Sequence, residues 1–540
     1  NEIYYDGEIT VRSGGALYLD SLDCFQVRGS SVDGTATLLV EEGGMLWMLN
    51  TNVVSDMGDD IFDPMSALTG PVSSYYEFIV YGVLQATECS ILHAESIYLG
   101  PTSDAELVGC LIADYERSGV NVDGCSPAIS ECIIIGDSMG EPGAEGIVIE
   151  GENAYPQITG CLIIANRHGI YARNTDLGAV YDNIFLLNLQ AGIYGEAVEG
   201  RIHDNVFMLN KVEILLTDSN VTISDNQIGW AKMIDDLAQY APFIELVGHH
   251  LFGIMESSED LVGTEGDLLD TGLFGLDVTD MLMGHVGVMA MGCERIVMTD
   301  NWYGMLYQAV YVMDCPELIF GDRIAPSNLT IPYYVGLNSS TMTVPIQCIE
   351  GLYAVRCDVS LVNAYIEVLD DAVVAQDCTG SVINSVLKGG DKNLLVVPSA
   401  PSAGAEGGSF EVRTVLKVHA EEDDGDKVTE AKVLVLNALG AMVAQGETDL
   451  NGDFVCTVVS YVVTANGKDS SMNPYQVSVE FDNGNVSKEV TAVDPVDGTW
   501  ETSTTITADA DNTWIFAGIC VLAIVIILIV VALIMRKKKA

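Results

Sequence analysis

The chain has 540 residues, 49% hydrophobic and only 19% charged, which excludes wholesale disorder and exceeds one ordinary domain. Its 77 acidic against 23 basic residues leave a net charge of −54, a surface that repels phosphate backbones and excludes nucleic acid as a partner. Such acidity attracts divalent cations or suits a salty or acidic exterior, although a plain solubilising charge accounts for it first.

The first residues, Asn1-Glu-Ile-Tyr-Tyr, have neither a basic start nor an apolar core and read as the mature or trimmed start of an exported chain. Short alternating runs follow at once: Gly15-Ala-Leu-Tyr-Leu, Thr37-Leu-Leu-Val and Gly44-Met-Leu-Trp-Met. They read as the irregular opening rungs of a solenoid. Ser55 to Val72, with Asp56, Asp59, Asp60 and Asp63, reads as a polar loop. From Tyr76 the rungs resume, with Cys89, Cys110 and Cys132 spaced 21 and 22 apart, and Gly136 to Glu145 reads as a short insertion.

The period is clearest from Cys161 to Trp230. Cys161-Leu-Ile-Ile-Ala-Asn166 returns as Asn183-Ile-Phe-Leu-Leu-Asn188, Asn205-Val-Phe-Met-Leu-Asn210 and Asn226-Gln-Ile-Gly-Trp230, advancing by 22, 22 and 21 positions. Between copies lies Gly169-Ile-Tyr-Ala, echoed by Gly192-Ile-Tyr-Gly and loosely by Val212-Glu-Ile-Leu-Leu. A fixed period near 22 means one supersecondary unit repeated. Its apolar runs of four or five residues are too short for helices and suit strands with Asn, Gly or Asp at the corners, where Asn and Gly tolerate the left-handed backbone. Each unit is thus expected to be one rung of a parallel β-helix, stacked at roughly 4.8 Å.

Lys232 to Asp280 loses the period, and Ala231 to Tyr240 suits a short helix; Val288 to Phe320 recovers it. Cys293 and Cys315 are 22 apart, and Cys357 and Cys378 are 21 apart. The expectation is a β-helix over 1–395, about 15 rungs and about 70 Å long at the strand spacing. Cysteines on the rung period stack with parallel side chains, a poor geometry for disulfides, so buried free thiols are expected; Cys125 with Cys132 stays open as a pair.

Val397-Pro-Ser-Ala-Pro-Ser-Ala-Gly begins a linker over 396–409. A small β-sandwich is expected over 410–492, with strands at Phe410–Val418, Ala431–Leu436, Met442–Glu447, Phe454–Val463 and Tyr475–Phe481. Its turns lie at Asn437, Asn451-Gly452 and Asn483-Gly484. Residues 493–513, rich in Thr, Asp and Ser, read as a polar stalk. Trp514 to Met535 is uncharged and apolar over 22 residues, about 33 Å as a helix, enough for one transmembrane span. Arg536, Lys537, Lys538 and Lys539 then form a basic tail (536–540) that belongs on the cytoplasmic side, placing the large N-terminal part outside the cell.

The repeats, with Asn at both ends of an apolar run and the Gly-Ile-Tyr phrase, resemble the right-handed parallel β-helix repeats of the pectate-lyase-like superfamily. The nearest subset is the NosD-type repeats common in archaeal surface proteins. The stretch Ala431 to Phe454, ending Thr448-Asp-Leu-Asn-Gly-Asp-Phe454, resembles the carboxypeptidase-regulatory-like sandwich, which implies a non-catalytic spacer. Together the parts look like an archaeal cell-surface protein.

That resemblance implies two chemistries. Some relatives cleave acidic polysaccharides with a Ca²⁺-binding carboxylate cluster beside an Arg or Lys base; others hydrolyse with two or three Asp. Arg167, Arg173 and Arg201 could line one face, but ion pairs with Asp176, Asp182 or Asp204 are the simpler expectation. Asp59-Asp60 with Asp300 could form an acid/base pair, though their spacing does not bring them together. His249 and His250 would point to opposite faces of a strand, and Glu421 to Asp426 is an acidic turn that could take Ca²⁺ weakly. Glycosylation sequons stand at Asn220, Asn328, Asn338 and Asn485.

No catalytic residue, metal ligand or cofactor is assigned, with Ca²⁺ the one cofactor in view. The expected function is a membrane-anchored envelope protein of surface-layer or adhesin type, self-associating or binding glycans. The alternatives are a surface polysaccharide lyase or glycoside hydrolase working in the β-helix groove, and metal delivery, for which Met/His clusters at useful spacing are missing.

Overall fold

The computed structural model describes residues 2–28, 36–55, 75–136, 143–229, 285–304, 306–335, 338–397, 408–422, 424–481, 484–492 and 501–508. Two compact units emerge: Asn1–Val359 with Ala364–Cys378 and Leu387–Leu395, and Ser360–Asn363 with Thr379–Val386 and Val396–Ala540.

In the first unit the regular rungs hold three parallel strands, the second and third merging into one in Arg295–Gly304 and Glu317–Ile324. One rung is His168–Arg173, Asp176–Tyr181 and Ile184–Leu186; the next is Ala191–Glu196, Glu199–His203 and Val206–Met208. Each strand pairs with its counterpart one rung on: Ile170 with Ile193, Val180 with Ile202, Phe185 with Phe207. The first strand of each rung joins a 14-stranded sheet whose order follows the chain. Alternation then decides what is inside. Ile170, Ala172, Ile193, Ile202 and Phe207 are wholly buried, and the Phe185 and Phe207 rings stack at 4.8 Å. Each fully buried Ile or Phe of this kind contributes about 2 kcal/mol.

The corners work differently from the sequence expectation. The left-handed residues are not the repeated asparagines but their neighbours: Asp182 (φ 56°), Asp204 (56°) and Asp225 (58°) before one corner, Leu187 (55°) and Leu209 (57°) at another. The asparagines themselves are wholly buried and stacked. Asn183 Nδ2 donates to Asn205 Oδ1 (3.1 Å), Asn205 Nδ2 to Asn226 Oδ1 (3.1 Å), and Asn226 Nδ2 to Asn301 Oδ1 (2.9 Å). The backbone N–H of each asparagine donates to the same oxygen. An inward amide is the one short side chain that both accepts from one rung and donates to the next, which is why Asn recurs there.

The same corner carries cysteines on the earlier rungs. Cys110, Cys132 and Cys161 each send their thiol to a carbonyl one rung back: Ala86, Leu107 and Ile129, at 3.4, 3.5 and 3.6 Å. All twelve described cysteines are free, Cys125 and Cys132 included. The neighbouring Cys132 thiol and then burial push Cys110 up to about 12.

The second unit contains a sandwich. Four antiparallel strands, Met442–Glu447, Lys432–Leu436, Tyr475–Phe481 and Gly484–Val490, make one sheet. Ser409–Glu421 lies between Asp453–Thr464 and Glu501–Thr507 in the facing layer. Leu416, Val418, Val433, Val435, Val477 and Phe481 fill the space between. Ser409–Glu421 also pairs in parallel with Thr379–Ile383. Residues 501–507 correct the stalk expectation, because they form a strand and not a polar tether. Thr502, Thr504 and Ile506 alternate inward and are buried, a period-2 pattern hidden by the Thr-rich composition.

Several expectations fall outside the described residues: Asp56, Asp59, Asp60 and Asp63, the helix at Ala231 to Tyr240, His249 and His250, and Trp514 to Met535 with Arg536 to Lys539. Among the described residues no helix is long and apolar enough to cross a membrane.

Candidate functional site

The Gly-Ile-Tyr phrase builds an outward row. Its Ile turns into the rung and its Tyr turns out, so stacking the phrase stacks the tyrosines. Along the 14-stranded sheet the row runs Leu39, Ile79, Tyr98, Asn121, Val148, Tyr171, Tyr194, Leu215, Met289, Tyr311, Tyr353 and Val374, each beside the next in register. All are half-buried. Tyr171 and Tyr194 meet edge-on at 5.4 Å, and Tyr311 and Tyr353 stack at 5.5 Å with an interplanar angle of 7°. Row-end phenols have fixed partners: Tyr98 donates to Asp123 Oδ2 (2.6 Å) and Tyr353 to Gln376 Oε1 (3.2 Å). Burial first, then Asp123, raises the Tyr98 phenol above its usual range, and burial does the same for Tyr171, so both stay neutral donors.

One polar cluster supports the middle of the row. Glu145 Oε2 accepts from the backbone N–H of His168 (3.1 Å) and lies 2.9 Å from its Nδ1, while Arg167 reaches Oε1 at 3.5 Å. His168 is almost fully buried, and its ring lies 5.9 Å from Tyr171 and 5.2 Å from Tyr194. The carboxylate therefore holds an imidazole that in turn backs two tyrosine rings. Beside them runs a charged row, Asp123, Glu150, Arg173 and Glu196, with Arg173 and Glu196 paired at 3.4 Å. A strip of half-buried rings edged by charged groups can stack on the apolar face of a sugar and hydrogen-bond its hydroxyls.

The arginines do not share one face. Arg173 is on the 14-stranded sheet, whereas Arg201 is in Glu199–His203 on a different side of the rung. The ion pairs that form are Arg167–Glu145 and Arg173–Glu196, not those with Asp176, Asp182 or Asp204. Asp176 instead caps its own bend by accepting from the Gly178 N–H at 2.8 Å. Asp300 is an exposed corner residue at φ 60°. In the acidic turn the Glu422 N–H donates to Asp426 O and the Gly425 N–H to Glu422 O. Among the described residues no group of three His, Cys, Asp or Glu is placed to hold a metal ion. Of the sequons, Asn220 and Asn485 are exposed, and Asn328 and Asn338 lie on the paired strands Ser327–Val335 and Asn338–Ile346. The alternation of the Gly-Ile-Tyr phrase carries the Tyr171–Tyr194 pair; the extension to Tyr98, Tyr311 and Tyr353 comes from the register.

The family model for the right handed beta helix region matches residues 95–232. The first unit is a right-handed parallel β-helix. No curated protein matches the chain. Among solved structures it is similar to a mutant of the periplasmic alginate epimerase AlgG, at 11% identity and TM-score 0.38, covering 70% of this chain and 76% of that one. It is similar to the catalytic domain of a GH87 alpha-1,3-glucanase with tetrasaccharides, at 11% identity and TM-score 0.23, covering 76% and 63%. A tailspike protein mutant of E. coli bacteriophage HK620 in complex with pentasaccharide gives 11% identity and TM-score 0.23, covering 90% and 87%.

Proposed function

We propose that this protein is a cell-surface glycan-binding protein whose β-helix offers its tyrosine row to a linear saccharide. The supporting observation is the Tyr171–Tyr194 pair, backed by His168 and Glu145 within an outward row of half-buried side chains. Rings fixed from behind lose little freedom when a sugar stacks on them, so less of the contact energy is spent on ordering. The apolar run Trp514 to Met535 and the basic residues Arg536 to Lys539 support a single-pass anchor with the β-helix outside. The sandwich then serves as a spacer between anchor and binding face, as its carboxypeptidase-regulatory-like sequence suggests.

The test is a glycan array probed with the full-length protein in detergent. At least one linear oligosaccharide should bind, and the Tyr171→Ala/Tyr194→Ala pair should weaken it about tenfold. Binding that ignores both substitutions, or no binding at all, overturns the reading.

A further inference from the structure

One edge of the coil, where the middle strand of each rung turns into the short third strand, changes character half-way along. On its earlier rungs Asp182, Asp204, Asp225 and Asp300 occupy one corner position, following Tyr181, His203, Ser224 and Thr299, which pair in register. All four are exposed, with φ of 56°, 56°, 58° and 60°. They therefore present one carboxylate about every 4.8 Å.

On the later rungs the outward residues beside this corner are Trp302, Arg323 and Tyr365, again in register. The Arg323 guanidinium lies 5.1 Å from the Trp302 ring centre and 4.9 Å from that of Tyr365, and Lys388 Nζ, already paired with Glu367 Oε2 at 3.2 Å, lies 5.2 Å from Tyr365. Trp302 is 45% exposed. A guanidinium held by its faces between two rings keeps its in-plane N–H groups free to take a carboxylate. Among the described residues no carboxylate pairs with Arg323, in a chain of net charge −54.

We propose that this edge is the contact of an antiparallel two-fold dimer, the cation–aromatic segment of each copy lying on the aspartate segment of the other. Both segments lie on one edge in sequence, so a second copy in reverse direction matches opposite charges twice, while a parallel copy sets like against like. Both have the rung spacing, so the charges meet without register mismatch. The contact is self-complementary and closes at two copies. At about 0.15 M salt the screening length is about 8 Å, short enough to damp the long-range repulsion of two acidic chains and long enough to leave contact pairs. This interface is independent of the glycan reading.

Sedimentation of the full-length protein in detergent at that ionic strength tests it. Wild type should be dimeric, and Arg323→Gln should raise the dimer dissociation constant about tenfold. So should Asp182→Asn/Asp204→Asn/Asp225→Asn, which removes the charges while keeping a residue suited to positive φ. Mixing the two variants should recover dimers in part, because the heterodimer keeps one of the two contacts and each homodimer keeps neither. A monomeric wild type, an open filament, or a dimer that neither variant weakens overturns the proposal. So does loss of acidic-polysaccharide binding in Arg323→Gln without change in mass, which would assign the patch to a glycan.

Discussion

Asn301 and Asp322 form the last joint of the asparagine ladder. Both the backbone N–H (3.1 Å) and Nδ2 (2.9 Å) of Asn301 donate to Asp322 Oδ1, and the Tyr303 hydroxyl donates to Oδ2 (2.7 Å). The next rung has Ala364 at that position, which offers no side-chain acceptor. A ladder of amides runs one way, each donating onward, and it must end on a group with an acceptor oxygen and no further amide to satisfy. The second ladder ends likewise: Asn166, Asn188 and Asn210 pass the bond on to Glu213, where the neighbouring rungs carry Gly192 and Gly287. Asp322→Ala should leave three buried donors unmet and cost about 3 kcal/mol, read as a fall in chemical-denaturation midpoint.

Burial raises both terminal carboxyls, Asp322 from 3.8 to about 7 and Glu213 from 4.5 to about 8. The folded state therefore holds these protons where the unfolded chain has released them. Their contribution is full below about pH 4 and fades as pH rises through about 7 and about 8. Wild-type stability should fall between those limits, and Asp322→Asn with Glu213→Gln should flatten the fall. An equal slope in the double variant would show that surface repulsion alone sets it.

Within the ladder, Asn205→Ala should cost about 3 kcal/mol, because it strips the acceptor from the N–H and Nδ2 of Asn183 together. Asn205→Asp should be worse near neutral pH, since its oxygens would face Asn226 Oδ1 with no proton between, and should recover on acidification. Thermal unfolding at two pH values separates the cases.

Gly192→Ala is expected to destabilise by about 2 kcal/mol, because the new Cβ would lie 2.7 Å from the Glu213 carbonyl oxygen and 2.9 Å from Phe207. Gly14, whose added Cβ meets nothing within 4 Å, should lose far less on the same change, through its φ of 75° alone. Unfolding midpoints of the two variants compare them directly.

The native thiols should be almost silent. Eleven of the described cysteines are buried and Cys456 is half-buried, so a thiol reagent should label Cys456 first, and the ladder cysteines only on unfolding. Rapid native labelling of Cys110 or Cys132 would mean that the rungs open far more often than their packing implies.

The sequence by itself determined the coil. A period of 22, runs too short for helices and the inward-outward alternation of Gly-Ile-Tyr leave a stacked rung as the solution, because period-2 strands can bury Ile170 and Phe185 only by repeating. It also placed the Met442–Glu447 and Tyr475–Phe481 strands, whose ends carry their own turn residues. The tertiary structure alone decided what the polar residues do. Composition suggested corner roles for Asn183 and Asn205, yet Asp182 and Asp204 take the left-handed backbone and the asparagines turn inward, since an amide is worth more bridging two rungs than facing water. Nothing local distinguishes Asp322 from any surface aspartate, or Glu213 from a strand error; each has its role because a neighbouring rung supplies donors from a side the sequence does not show. Register likewise brought Tyr98, Tyr311 and Tyr353 into the strip of Tyr171 and Tyr194, across insertions that break the period.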